Sequence, residues 1–333
     1  MKKKSKGISY AKYGYLFVIP FVIAYIIFHL YPTIYTAVIG FTDLKGLLTT
    51  EWHFLKGEHV FDNFKDVLKN DSFITSIKNT CLIWICNFIP QMALALLLTA
   101  WFTSPRCKIR GAGFFKVVFY MPNIITAASV AILFSALFQA PISPVNDLLK
   151  SLGIIDEPFQ FLIKKDWAKG LVAFIQFWQW YGYTAIIFIS GVLGINPEIF
   201  EAAEIDGASS SQTFFRITLP NIRTIMLYQL ITSLIGGLNM FDIPYAFLNG
   251  GPAKATLTTA LFIYNQAFSG SYIYNRASAA SMLMFVVICF FSAIIFYLMR
   301  DKDEIAEKKA EKKFRKQMKK NGGKFDSEAA AKN

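Results

Sequence analysis

The chain has 333 residues, of which 54% are hydrophobic, and it carries a formal net charge of +12. Soluble domains contain about 45–50% apolar residues even when glycine is counted, and here the excess is concentrated in long blocks. The composition therefore excludes an ordinary soluble globular protein and predicts one membrane domain with no soluble enzyme appended.

The apolar residues form blocks long enough to cross a bilayer, which requires about 20 residues for a hydrocarbon core of about 30 Å. Six such blocks follow one another along the chain, at 15–40, 79–102, 114–138, 171–195, 222–241 and 277–299. Backbone groups in lipid must bond to one another, so each block is predicted to be helical. The fold class expected is an all-α polytopic membrane protein with about six transmembrane helices. The first block is too long for a signal peptide and lacks a small-x-small cleavage site, so it is predicted to be retained.

Charge is distributed unevenly between alternate loops. Residues 1–14 carry five lysines and no acid, loop 103–112 carries three basic residues and no acid, and the segment from Arg300 onward carries twelve. Loops 42–75 and 139–167 each contain more acidic than basic residues. The positive-inside rule then places both termini in the cytoplasm of a prokaryotic cell, which agrees with an even number of spans.

The predicted organisation has three parts: a basic N-terminus over 1–14, a transmembrane domain over 15–299 and a basic tail over 300–333. The tail's charge could also indicate nucleic acid as a partner. However, Glu304 precedes Lys308 by four positions, a spacing that supports a solvated helix. Basic residues beside an anionic inner leaflet are also ordinary. We therefore expect the lipid bilayer, and not nucleic acid, to be the tail's partner, with disorder from residue 321.

Motifs for catalysis or metal binding are missing from the sequence. The four cysteines form no CxxC pair, and the three histidines lie in a span or a loop without a ligand pattern. No phosphate-binding GxxxxGK[ST], GxSxG or HExxH motif occurs. The chain is accordingly predicted to be no enzyme, with no catalytic residues, no metal and no cofactor of its own.

Three connecting regions are long enough for structure of their own. Loop 42–78 contains "FDNFKDVLKNDSFITSIKNT", in which Phe64, Val67 and Leu68 follow helical spacing, and this predicts a short amphipathic helix on the outer face. Loop 139–167 is a second external elaboration. Region 242–276 is too broken to span and too apolar to be free in solvent, so we expect it to turn back into the protein or to cover its outer mouth.

A polar insert, "EIFEAAEIDGASSSQTFFRITLP" over 198–220, separates the fourth and fifth blocks. Pro197 suits the first turn of a helix, Gly207 permits a positive φ, and a serine among 209–211 can cap a second helix that Pro220 ends. The pattern predicts a cytoplasmic helix–turn–helix. Its acids, Glu198, Glu201, Glu204 and Asp206, greatly outnumber its bases, whereas a helix resting on the inner leaflet should be basic. Docking to a positively charged partner protein is therefore favoured.

The insert resembles the EAA loop of carbohydrate ABC-importer permeases of the maltose-permease-like family. Segments "FDNFKDVLKN", "IKNT", "YMPNIIT", "LNGGP" and "YNRASAAS" resemble that family in the same order. The resemblance implies coupling to a separate ATP-binding-cassette ATPase dimer, which holds the ATP and Mg. It also implies a second homologous permease subunit and an extracytoplasmic solute-binding protein. The implied coupling residues are Glu201, Ala202, Ala203, Asp206, Gly207, Ile217, Leu219 and Pro220.

Candidate substrate residues lie in the fourth and fifth blocks. Gln176, Gln179, Trp180 and Tyr183 share one helical face, because they stand at i, i+3, i+4 and i+7. Amides mixed with aromatic rings inside a span favour a cavity that binds sugar, although an interfacial aromatic belt is the alternative.

The fifth block adds further candidates, although its small residues equally fit helix packing. They are Ser233, Gly237, Asn239, Met240 and Phe241. Tyr183, Ser233, Asn239 and Phe241 match the maltose-permease pattern. Gly237 and Met240 depart from it, because asparagines stand there in that family, which argues against maltose itself while an oligosaccharide stays favoured.

Two other functions compete with that of an importer subunit. A stand-alone secondary transporter or channel for a small polar solute would need ionisable groups in its spans, and only His29 and Lys116 qualify. A membrane-embedded enzyme would need an acidic or metal-binding cluster, and the only acidic cluster is the insert. A bound ATPase distinguishes the first function from both alternatives.

Overall fold

The computed structural model describes residues 11–299 apart from 48, 50, 105, 108 and 271, together with 309–314 and 316. Residues 1–10 and most of the predicted tail lie outside that part of the chain. The first half contains α1 Ala11–Tyr25, α2 Tyr31–Ile39, α3 Asp62–Leu68, α4 Asp71–Thr103, α5 Ala112–Ile124, α6 Ala127–Phe138 and α7 Pro144–Ser151. The second half contains α8 Lys165–Leu193, α9 Pro197–Ile205, α10 Ser210–Thr213, α11 Leu219–Asn221, α12 Arg223–Leu238, α13 Thr259–Phe268 and α14 Tyr274–Met299.

Single π-helical turns connect several of these helices. They lie at Ile26–Leu30 between α1 and α2, at Phe214–Thr218 between α10 and α11, and at Pro244–Leu248 after α12. Extended pairing in the described part of the chain is limited to one isolated bridge between Thr42 and Phe54. The all-α prediction is confirmed.

Within the described residues, five helices are long and apolar enough to cross a membrane: Tyr13–Ile39, Asp71–Thr103, Lys165–Leu193, Arg223–Leu248 and Tyr274–Met299. The pair α5 and α6, which meet at an angle of 92°, makes a sixth if the two helices count as one bent span. The six predicted spans are thus present when the bent pair counts as one. The expectation of one unbroken helix over 114–138 is wrong.

The break in the third span has a local cause. Pro122 lies in the last turn of α5, and Ile125 is extended with φ −72° and ψ 133°. Thr126 then caps α6, with its Oγ1 accepting from the Ser129 amide at 3.3 Å. The Gln179 side chain of α8 donates to the freed carbonyl of Ile125 at 3.3 Å. Broken backbone at membrane depth is tolerated when protein groups satisfy it in this way.

Helix α8 is the central helix of the bundle and packs along α4 and α5. Gly182 allows the close approach to α5, because a Cβ at that position would lie 1.7 Å from the Phe119 carbonyl oxygen. Small residues let helix backbones approach in this manner within membranes. Phe188 and Val192 are buried in one cluster with Ala95 and Ile222, and this packing fixes the C-terminal part of α8.

The short helix predicted within loop 42–78 forms as α3, Asp62–Leu68, but it is fixed to the protein rather than simply lying on its surface. Val67 is only 1% exposed and packs with Phe73. Asn63 donates to the carbonyl oxygens of Gly40 at 2.9 Å and Thr42 at 2.8 Å, so α3 is bonded to the end of the first span.

Region 242–276 turns back into the protein, as predicted. Leu261 of α13 is fully buried, and Asn79 of α4 donates to the carbonyl oxygens of Lys254 at 2.7 Å and Leu257 at 3.1 Å. The hydroxyls of Thr80 and Thr259 lie 3.1 Å apart and join α4 to α13. These bonds hold α13 against α4, where it sits beside the end of the fifth span.

Candidate substrate cavity and coupling loop

A cavity of about 550 Å³ lies between the second, third, fourth and fifth spans. The face predicted on α8 and the segment predicted at the end of α12 converge on it from opposite sides. All nine residues proposed from sequence line this one cavity: Gln176, Gln179, Trp180, Tyr183, Ser233, Gly237, Asn239, Met240 and Phe241. Because they come from different helices, their convergence is a result of the fold and not of sequence spacing.

The cavity wall combines rings with amides and has little charge. Trp84, Trp180, Tyr183 and Phe241 provide four aromatic side chains. Seven Asn and Gln side chains also line it, three of them from α4 and α5. Asp242 is the one charged side chain among the lining residues. Such a lining can stack on the C–H faces of a polyhydroxylated ligand and hydrogen-bond its hydroxyls.

Gly237 has a specific role in shaping this wall. A Cβ there would lie 2.0 Å from Cδ1 of Trp84, so the indole occupies the space that a side chain at 237 would need. The Trp84 Nε1 also donates to Ser233 Oγ at 3.3 Å. The glycine that departs from the maltose-permease pattern is therefore matched by a tryptophan from the second span.

A buried polar cluster joins three spans beside the cavity. Thr184 of α8 accepts from Gln91 Nε2 at 2.8 Å and from Gln229 Nε2 at 3.1 Å, and it donates to the Trp180 carbonyl at 3.1 Å. The Gln229 Oε1 atom is buried without a protein partner. Interhelical hydrogen bonds of this kind fix helix positions inside a membrane domain.

Three of the predicted residues are partly engaged in local structure. Gln179 is 7% exposed and bonds the Ile125 carbonyl at the break in the third span. Asn239 caps α12 by donating to the Ile235 carbonyl at 2.9 Å. Met240 is 6% exposed, and its carbonyl accepts from Thr258 Oγ1 at 2.9 Å. These residues shape the cavity, whereas Trp180 and Tyr183 present larger free surfaces.

Several lining residues were not found by sequence reasoning. They are Trp84, Asn87, Gln91, Asn123, Thr232 and Asp242. Asn87 and Gln91 are polar residues one turn apart within the second apolar block, and this pattern could have predicted that they face the cavity. The contribution of Asn123 depends on the bend between α5 and α6, which the sequence did not predict.

The coupling insert folds as the sequence predicted at its first turn. Asn196 caps α9 by accepting from the Glu198 amide at 3.2 Å, and Pro197 is the first residue of the helix. At the other end Gly207 has φ +71°. The amide of Gly207 bonds the Glu204 carbonyl, and the amide of Ala208 bonds the Ala203 carbonyl at 2.9 Å. This pair of bonds is a Schellman motif, in which glycine is favoured.

The second helix of the insert begins with a reciprocal cap. Ser209 Oγ accepts from the Gln212 amide at 3.2 Å, while the Ser209 amide donates to Gln212 Oε1 at 2.8 Å. The expected serine cap is confirmed as a capping box. The expected end at Pro220 is wrong, because Pro220 occupies the first turn of α11 and the helical path breaks at Ile222, with φ −91° and ψ 9°.

The predicted coupling residues divide by the direction they face. Glu201, Ala202, Asp206, Gly207 and Pro220 are exposed. Ala203 is buried, while Ile217 and Leu219 are half-buried and hold the insert on the bundle. Ile205, which sequence reasoning did not select, is 87% exposed at the tip. Among the described residues, the ion pairs involve Asp43, Asp62 and Asp66, so none uses the insert's carboxylates.

A family model for binding-protein-dependent transport system inner membrane components matches residues 80–302, which include the cavity, the insert and α14. The chain belongs to this family. The permease is 31% identical to the lactose transport system permease protein LacF of Rhizobium radiobacter over 291 residues, 87% of this chain and 94% of that protein.

Further relatives and solved structures differ in the cargo they are named for. The sn-glycerol-3-phosphate transport system permease protein UgpA of Agrobacterium fabrum is 30% identical, over 68% of the permease and 75% of that protein. A chain of a bacterial ABC transporter that imports the acidic polysaccharide alginate shares the fold, with TM-score 0.72 and 23% identity over 86% of the permease and 94% of that chain. A second structure of an alginate ABC transporter, in complex with its alginate pentasaccharide-bound periplasmic protein, gives TM-score 0.71 and 23% identity, over 86% of the permease and 93% of that chain.

The permease also has a groove of about 690 Å³ between the end of α4 and the insert. Arg106, in the short basic loop after α4, donates to the Ala208 carbonyl at 3.0 Å and so ties that loop to the turn of the insert. Arg223, at the start of α12, donates to the Leu298 carbonyl of α14 at 3.4 Å. The insert is therefore connected to three spans, α4, α8 and α12, since it also continues directly from α8 and into α12, and the Arg223 bond joins α12 to α14.

Proposed function

We propose that this permease is a pore-forming subunit of an ATP-driven importer whose cargo is a neutral saccharide. The observation that carries the proposal is the composition of the 550 Å³ cavity, where four aromatic rings and seven amides surround the space and Asp242 is the one charged side chain. Rings and amides recognise a sugar by its faces and hydroxyls, and neither group carries a positive charge to offset that of an anionic ligand.

The charge of the cavity distinguishes between cargoes named for the relatives. Lactose is neutral, whereas glycerol phosphate and alginate are anions. An anion in this cavity would have no cationic partner among the lining residues and would approach the Asp242 carboxylate, which is unfavourable where water is reduced. A neutral oligosaccharide fits the lining, and maltose has no special support because Gly237 and Met240 depart from that pattern.

The partners follow from the insert. The acidic, exposed surface of Glu201 and Asp206, with Ile205 at its tip, is suited to a cationic cleft in an ATP-binding-cassette ATPase dimer, which would hold the ATP and Mg. A second homologous permease subunit would complete the pore, and a solute-binding protein outside the membrane would deliver the sugar. Both termini and the insert would be cytoplasmic, as the charge distribution of the loops supports.

Helix α8 provides the mechanical connection in this proposal. Tyr183 lies in the cavity and Pro197 begins the insert, 14 residues and about 20 Å farther along. Gly194 caps α8 directly before that joint. Movement of the insert by the ATPase would therefore tilt the helix that carries Gln176, Trp180 and Tyr183, and would change access to the cavity from one side to the other.

Substitution of Tyr183 tests the cavity. In cells whose saccharide uptake depends on this chain, Tyr183→Ala should lower uptake of labelled lactose, diacetylchitobiose or arabinotriose about tenfold, because one contact of about 1.4 kcal/mol is lost. Tyr183→Phe keeps the ring and should retain most uptake. The Ala variant should still co-purify with the ATPase. Full uptake by Tyr183→Ala, or a wild-type preference for an anionic solute such as glycerol phosphate over neutral sugars, would contradict the proposal.

A further inference from the structure

A row of touching aromatic rings leads from the substrate cavity toward the outer end of the fifth span. We call it the aromatic ladder, and it consists of Phe241, Tyr245, Tyr264, Phe268 and Tyr274. Phe241 lines the cavity and stacks on Tyr245 with ring centroids 5.0 Å apart and planes 15° apart. Tyr264 lies 5.0 Å from Phe241 and 5.3 Å from Tyr245.

The ladder continues along α13 away from the coupling loop. Tyr264 and Phe268 are one helical turn apart with centroids separated by 5.5 Å, and Phe268 is followed by Tyr274 at 6.5 Å. These separations are ordinary ring–ring contacts, and the planes of neighbouring rings are 15° to 67° apart, so the row is a series of differently inclined rings. A saccharide on the ladder would contact the exposed faces and edges of neighbouring rings in turn.

The rings are open on one side and supported on the other. Phe241 and Tyr264 pack against the buried cluster that contains Leu261 and Phe262. Tyr245 is 41% exposed and Phe268 is 60% exposed. The bonds from Asn79 and Thr80 to the 254–259 segment fix α13 in place. The ladder is therefore preorganised, with a free surface that ends at the cavity wall.

Two ordinary explanations for exposed rings do not account for this arrangement. Aromatic residues of an interfacial belt sit at the lipid boundary and need no contact with one another. Core packing would bury the rings, yet Phe268, one turn beyond Tyr264 on α13, keeps more than half of its surface exposed. Neither explanation predicts a continuous series that terminates at a ligand cavity.

We infer that the aromatic ladder is a second saccharide-binding site of the permease, which receives the sugar on the outer side and guides it to the cavity. The inference rests on the proposed saccharide import. It assigns stacking to Phe241, Tyr245, Tyr264 and Phe268, and hydroxyl contacts to the two tyrosines. A longer saccharide spans more rings, so the contribution of the ladder should increase with chain length.

The test compares variants that keep or remove a ring at constant apolar character. Tyr245→Leu and Phe268→Leu should each lower uptake of arabinotriose about three- to tenfold, and uptake of the disaccharide lactose less, because one ring contact is removed. Tyr245→Phe and Phe268→Tyr retain a ring and should retain uptake. Phe290→Leu, at a 61% exposed ring on α14 outside the ladder, is the matched control and should have no effect.

The outcomes separate this inference from the proposed function. Normal uptake by both Leu variants, with Tyr183→Ala defective, would overturn the ladder and leave the cavity in place. Normal uptake by all three would overturn both sites. Loss of the second permease subunit from complexes of the Leu variants would show that the rings are a subunit contact and would overturn the ladder. Impaired uptake with an intact complex, and rescue by the ring-retaining variants, would support it.

Discussion

At the scale of single residues, the cavity depends on a complementary pair from two spans. Gly237 has no side chain where Trp84 needs room, and the indole Nε1 bonds Ser233 one turn earlier on α12. A side chain of any size at 237 requires the indole to move. The maltose-permease pattern has an asparagine at this position. Here Gly237 leaves room for Trp84, so an indole ring forms the part of the cavity wall where that pattern has an amide.

Gly237→Ala tests that pair. The added Cβ would lie 2.0 Å from Trp84, so the indole must rotate and lose its bond to Ser233. Overpacking costs about 1–3 kcal/mol, and about 1 kcal/mol of this is offset by the better helix propensity of alanine. We expect nearly normal amounts of folded protein, a changed indole fluorescence and reduced uptake of the transported sugar.

Gly170→Ala on α8 is the control for this substitution, because a Cβ there meets nothing within 4 Å and Gly170 does not line the cavity. It should leave both fluorescence and uptake unchanged. If Gly237→Ala behaves like Gly170→Ala in both measurements, the indole does not depend on the glycine and the explanation for the departure from the maltose-permease pattern fails.

The residue scale also shows where sequence reasoning reaches its limit. Tyr183 and Gln176 could be found, because one helix places them on one face. Trp84 and Asn123 could not be assigned, since their contribution depends on α4 and the bent third span approaching α8 from a distance in sequence. Gly237 was predicted to contact the substrate because of the family resemblance, whereas in the structure the Trp84 indole occupies the space beside it.

At the scale of elements, short local signals determined the insert and long-range packing determined the third span. Asn196, Pro197, Gly207 and Ser209 specify caps and a turn within a few residues, so the helix–turn–helix was predictable. The 92° bend between α5 and α6 depends on Thr126 and on an amide from α8. Hydropathy alone gives no indication of it, because both halves are apolar and no polar segment separates them.

Gly207→Ala probes the turn of the insert without a steric clash. A Cβ at this position would meet no atom within 4 Å, but φ is +71°, where a side chain costs about 1 kcal/mol. The Schellman turn should loosen and misplace the exposed acids. We expect weaker co-purification of the ATPase and lower sugar-stimulated ATP hydrolysis, with the chain still folded.

Gly153→Ala provides the matched control, because Gly153 has φ +69° and the same open surroundings in the loop after α7. It carries the same local strain at a position remote from the insert, so ATPase association should be normal. Equal loss of association in both variants would show that strain weakens the fold in general. Normal association and hydrolysis in Gly207→Ala would contradict the coupling role.

At the scale of the whole molecule, the loops and the spans carry different information. Two predicted spans separate the 103–112 loop from the insert, so alternation of the spans places both on the same side of the membrane, and the structure joins them through the bond from Arg106 to the Ala208 carbonyl. Apolar length determines the number of crossings. Neither charge nor apolar length predicts that α13 packs against α4. That contact depends on buried Asn79 and Thr80, whose partners lie more than 170 positions away in the sequence.

The orientation of the whole molecule can be measured with its own thiols. Cys107 is exposed in the basic loop that contacts the insert, whereas Cys81, Cys86 and Cys289 lie on spanning helices. If the loop is cytoplasmic, a membrane-impermeant maleimide should leave Cys107 unlabelled in intact cells and label it after permeabilisation. Ser151→Cys, at the end of α7 in a variant that carries Cys107→Ser, should label in intact cells, because loop 139–167 lies on the opposite side. Labelling of Cys107 in intact cells would place the insert outside, where no ATPase could reach it, and the coupling proposal would fail with the orientation.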